Sequence, residues 1–166
     1  GNYYEVQREW DGETKISLTF PMQPRGVRGY NNSLAIIRGP LVYSLKIGEE
    51  WKRIHEDKPH RELPHGDWEV HPATPWNYAL DADESDLAEA LKFEEHPVGD
   101  MPFSPEGAPV SAAVEGIKLE EWKLIYGSAG NMPVSPVAAE GEKVKLMLIP
   151  YGCTNLRITQ FPTIRR

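Results

Sequence analysis

At 166 residues the chain has room for one domain with a real hydrophobic core, and 40% hydrophobic with 26% charged residues is ordinary globular composition. A formal net charge of −7 offers no basic field to a phosphate backbone, and no apolar run reaches the roughly 20 residues that cross a bilayer, so neither nucleic acid nor membrane is expected as a partner. Cys153 is the single cysteine, which excludes an intrachain disulfide and a thiolate zinc cluster, while 15 Pro and 14 Gly argue for short elements joined by turns.

Taken in order, Tyr3 to Trp10 reads as a strand, and Asp11-Gly12 is a two-residue turn signal towards Lys15. Ile16, Leu18 and Phe20 then alternate with Lys15, Ser17 and Thr19, the period of a half-buried strand. Two further β-favouring runs, Leu34 to Ile37 and Leu41 to Ile47, are joined by Gly39-Pro40 with almost no spacer. Glycine opens backbone conformations closed to other residues and proline withholds a ladder donor, so this junction predicts a tight corner, a bulge or a sheet edge. From Gly48 to Pro109 prolines recur and only short elements fit. Trp76 to Leu80 is predicted as a strand. Ser85 to Glu95 has helical spacing at Leu87 and Leu91, and its second half alternates as a strand. Val114 to Ile125 reads as a strand with a following bend, and Ala129 to Gly141 as a connection. Val144 to Ile149 and Leu156 to Phe161 are predicted to form a final hairpin. About eight to ten strands with frequent turns imply an all-β fold, an antiparallel β-sandwich of jelly-roll type with an irregular Pro-rich middle, in a single domain over residues 1–166.

Three groups of residues invite a chemical reading. His55, His60, His65 and His71 crowd together beside Asp57, Glu62, Asp67 and Glu69, the ligand types that transition metals take. Their spacing follows no ligand pattern, so a solvated loop is expected and no metal or other cofactor is assigned. Glycoside hydrolysis needs two carboxyls about 5 to 9 Å apart, one kept protonated. Glu94-Glu95 and Glu120-Glu121 read more simply as exposed charge, Gly-x-Ser-x-Gly is absent, and no catalytic residue is assigned. Aromatic residues carry the third reading. Trp51, Trp68, Trp76 and Tyr78 surround the Pro-rich middle, and strand alternation places Trp76 and Tyr78 on one face with Asn77 on the other. Trp68, Trp76 and Tyr78 are the candidate carbohydrate-binding residues, with core packing as the alternative for each ring.

Several of these segments recur together in a known family. Ile37-Arg38-Gly39-Pro40-Leu41-Val42-Tyr43-Ser44-Leu45 follows Asn31-Asn32-Ser33, and far downstream come Pro150-Tyr151-Gly152-Cys153-Thr154, Leu156 to Thr159 and Phe161-Pro162. With Trp10-Asp11-Gly12, Phe20-Pro21-Met22 and Pro75 to Leu80, their order resembles the C-terminal β-sandwich region of bacterial glycoside hydrolase family 127-like proteins, the group of the β-L-arabinofuranosidases. The resemblance implies a piece excised from a larger periplasmic or extracellular hydrolase, an origin that Gly1 at the start also suggests. The family's catalytic cysteine and zinc ligands belong to an (α/α)6 barrel, and Cys153 does not match the nucleophile by position. Cys153 is therefore read as a packing or turn residue. The expected role is a non-catalytic accessory module that supports the barrel or an inter-domain or dimer contact. The other expectation is a module binding plant-derived polysaccharide or oligosaccharide.

Overall fold

The computed structural model describes residues 2–165, and the chain is all-β and antiparallel, with a sandwich-like curled sheet. In chain order the strands are β1 (Pro24–Arg28), β2 (Leu34–Arg38), β3 (Leu41–Leu45), β4 (Glu49–Ile54), β5 (Asp67–Pro72) and β6 (Tyr78–Leu80). A single helical turn, α1 (Leu87–Ala90), leads into β7 (Lys92–Glu95), so both halves of the ambiguous Ser85 to Glu95 stretch take the form that their spacing suggests. Then come β8 (Val110–Lys118), the short β9 (Leu124–Ile125) and β10 (Ser128–Ala129), β11 (Val144–Pro150) and β12 (Gln160–Phe161).

The Gly39-Pro40 junction is a hairpin turn, with Ile37 opposite Val42 and Arg38 opposite Leu41. Gly39 sits at φ +56, and the pyrrolidine ring keeps Pro40 from following it to positive φ. Of the two turns whose twist suits a two-residue hairpin, only type II′ asks for positive φ at the first central residue alone. Sequence and turn agree.

Eight strands form one sheet in the order β1-β2-β3-β11-β8-β6, with β12 also on β2 and β7 also on β8. After β12, Leu80 N–H donates to Pro162 O and Ile164 N–H to Leu80 O, each at 2.9 Å. The last residues thus bridge β2 to β6, and the sheet bends back on itself around one core. Leu34, Ile36, Tyr43, Leu80, Leu148 and Phe161 fill that core with no exposed surface. Two buried serine hydroxyls are matched: Ser44 Oγ donates to Ile158 O at 3.1 Å, and Ser135 Oγ meets Thr163 Oγ1 at 3.0 Å. Asn31 and Asn32, at φ 52 and 58, send their amides to Met132 O and Ser135 O and tie the β10–β11 connection to the β1–β2 turn. Asparagine tolerates that left-handed backbone better than most residues.

Two predicted hairpins are absent. Residues 2–23 hold no strand, and residues 2–20 are exposed apart from half-buried Thr14. Alternation stabilises a strand only where one face meets a neighbour, and no described strand pairs with this segment. The second is the final hairpin: β11 runs between β3 and β8, and β12 pairs with β2 instead. The turn Tyr151–Cys153 and the segment after it carry the chain away from β11. In the opposite direction, β4 and β5 form a hairpin of six facing pairs inside the stretch expected to be irregular.

Candidate functional site

The β4–β5 hairpin stands outside the main sheet, and it carries two exposed indoles, Trp51 and Trp68. Its register sets Trp51 opposite Val70 and Arg53 opposite Trp68, so Trp51 and Trp68 are diagonal neighbours on one face. Their rings meet edge to face at 6.3 Å between centroids, with Trp51 50% and Trp68 44% exposed. Each ring fixes the other while leaving one face to solvent.

The other two candidate residues face inward. Trp76 is 8% exposed and packs edge to face on Trp122 at 5.0 Å. Trp122 Nε1 in turn donates to Gly130 O at 2.9 Å, and Asn77 Nδ2 donates to Leu119 O and Trp122 O at 2.6 and 2.9 Å. Trp76 precedes β6 and is a core residue with no face for a sugar. Tyr78, half-buried in β6, packs against the same core. The structure does not bring Trp76 and Tyr78 together with Trp68 on a common surface.

Glu49, at the start of β4, holds the hairpin in place. Its Oε1 accepts from Thr154 Oγ1 at 3.2 Å and from Asn155 N–H at 2.9 Å, and its Oε2 accepts from Asn155 Nδ2 at 2.9 Å. Oε2 also accepts Trp51 Nε1–H at 3.2 Å. Partial burial pushes the Glu49 carboxyl up, but the hydrogen bonds from Asn155, Leu156 and Thr154 outweigh it and hold the group below the ordinary glutamate range. The carboxylate is charged, and it orients the Trp51 ring.

The histidines lie spread over the exposed β4–β5 loop and its strands. His55 Nδ1 and Arg61 Nε both contact Asp67 Oδ2, at 3.1 and 2.7 Å, and His71 Nε2 lies 3.2 Å from Glu69 Oε2. Hydrogen bonds from His55 and Arg61 hold the Asp67 carboxyl below its usual range. Among the described residues, no three His, Cys, Asp or Glu side chains converge as a metal site. Cys153 is 3% exposed, its thiol is pushed up by burial, and Sγ donates to Pro102 O at 3.3 Å. A buried, protonated thiol that closes a turn is a poor nucleophile. Glu94, Glu95, Glu120 and Glu121 are exposed; Glu95 pairs with Arg38 and Glu120 with Lys118.

Glu49 and Asn155 escaped the sequence reading. Glu49 sits in a charged run, Glu49-Glu50-Trp51-Lys52-Arg53, where only the Trp marks a strand face; its partners lie more than 100 residues downstream. Comparison with known proteins finds no matching family model, no matching curated protein and no matching solved structure.

Proposed function

We propose that this domain is a non-catalytic accessory β-sandwich module of a glycoside hydrolase, seated against a catalytic domain. One observation carries the reading: the segment before β1 exposes Tyr3, Tyr4, Trp10, Ile16, Leu18 and Phe20, each at 59% or more. So dense a run of exposed apolar side chains is characteristic of a surface that another body covers. Two carboxyls, Glu49 and Asp67, are held below their ordinary range, the opposite of the raised pKa that a glycosidase gives its acid. The test is turnover. The isolated chain is expected to hydrolyse no aryl arabinofuranoside or related aryl glycoside; hydrolysis abolished by one Asp or Glu substitution would overturn the assignment.

The exposed Trp51–Trp68 face supports a second reading, a carbohydrate-binding module, because sugar rings stack their C–H faces on open, rigid indoles. Retardation in affinity gels containing arabinan or pectic polysaccharide, lost in Trp68→Ala with the melting temperature unchanged, is the expected sign. Equal mobility in gels with and without polysaccharide would exclude it.

A further inference from the structure

A groove of about 390 Å³ runs between the start of β4 and the loop at residues 101–107, with Lys46, Glu49, Trp51, Phe103, Glu106 and Asn155 among its walls. We propose that this groove binds a neutral oligosaccharide, with Trp51 and Phe103 as its two stacking faces. The proposal rests on the carbohydrate-binding reading and names the site and ligand class for it.

Both walls are fastened to one turn, Tyr151–Cys153 and the residues just after it. On the β4 side, Glu49 grips Thr154 and Asn155 and holds the Trp51 indole. Across the groove, the Cys153 thiol donates to Pro102 O, and the Phe103 ring lies against Gly152, 3.9 Å from where a Cβ would stand. The loop also braces itself: Ser104 Oγ donates to Met101 O at 2.9 Å and accepts Gly107 N–H at 3.0 Å. Phe103 nevertheless stays 80% exposed. Two open rings set by separate anchors on a common turn form a preorganised pair, which lowers the ordering cost of a ligand.

The polar walls choose among ligands. A purely apolar guest would strip water from Glu106 and Lys46 without replacing it. Sugar hydroxyls donate to carboxylates while sugar C–H faces cover aromatic rings. With two carboxylates against one lysine, Lys46, and −7 on the whole chain, a uronate or phosphate is repelled. Neutral sugars meet every constraint.

The test uses the intact chain, titrated by calorimetry and tryptophan emission against arabinan-, galactan-, xylan- and glucan-derived oligosaccharides and against oligogalacturonate. At least one neutral series is expected to bind and shift the emission. Trp51→Ala and Phe103→Ala should each weaken that binding by about tenfold, the equivalent of about 1.4 kcal/mol, without moving the melting temperature. Trp51→Phe, which keeps a ring, should lose less and serves if Trp51→Ala does not fold. Binding lost only in Trp68→Ala would keep carbohydrate recognition on the hairpin and overturn the groove. Preference for oligogalacturonate would overturn the ligand class. No binding to any saccharide would overturn both readings and leave the rings to a protein partner.

Discussion

The hydroxyl of Tyr43, midway along β3, is buried, and among the described residues no group meets it in full hydrogen-bond geometry. Burial pushes the phenol up, and the nearby Arg38 guanidinium offsets this in part while it pairs with Glu95 and lies over the Phe93 ring. A buried hydroxyl without a protein partner costs stability, so Tyr43→Phe should be neutral or stabilising by up to about 1 kcal/mol in urea unfolding. A loss of that size would mean that the hydroxyl has a partner. Glu49 makes the opposite case, a polar group whose bonds are all used. Its folded pKa is depressed, so its contribution is complete above the unfolded glutamate pKa of about 4.3 and fades as pH falls through the folded value. Wild type should therefore be more stable than Glu49→Gln near neutrality, and the difference should shrink on acidification below about pH 4. A gap that stays constant down to pH 2 would show that the charge contributes nothing. Neither residue announces itself in sequence: what decides each is a neighbour far along the chain.

Elements were legible where local chemistry and tertiary partners agree. At β2–β3 the turn residues dictate geometry, and alternating Leu34, Ile36, Tyr43 and Leu45 find the core waiting for them. Gly39→Ala should cost about 1–2 kcal/mol, because alanine resists φ +56 and its Cβ would press on the Met22 side chain. Equilibrium denaturation checks this, and a neutral result would mean that the turn relaxes to another type. The Lys15 to Phe20 alternation is as regular, yet it makes no strand, since period alone does not provide a neighbour. The β4–β5 hairpin shows the converse. Its charged pattern looks like loop, but cross-strand rings and the Glu49 anchor supply what periodicity lacks. The aromatic candidates divide for the same reason: Trp68 stands on a hairpin that leaves the sheet, and Trp76 on a segment that enters it. Residue type marked both as important, and only topology separates them.

At the scale of the whole molecule, stability and contact surface occupy different parts of the chain. The curled sheet is closed by residues 160–164, with β12 on β2 and Leu80 bonded to Pro162 and Ile164. That closure joins chain segments some 80 residues apart. The segment before β1 contributes little: its side chains are exposed, and its tie to the sheet comes at Met22, whose carbonyl accepts Arg38 Nε–H at 3.0 Å. Deleting residues 1–20 removes no core contact and keeps that tie. The melting temperature should then move by no more than about 2 °C, the scale of a change within about 0.5 kcal/mol for a domain this size. Binding of a hydrophobic dye should fall sharply in the same variant, because the deletion removes Tyr3, Tyr4, Trp10, Ile16, Leu18 and Phe20, all exposed. A drop of 5 °C or more would place this segment in the stabilising core and withdraw the observation on which the accessory-module proposal depends. An unchanged melting temperature with undiminished dye binding would move the docking surface to the sheet itself, where Leu41, Val42 and Tyr151 line a shallow apolar groove.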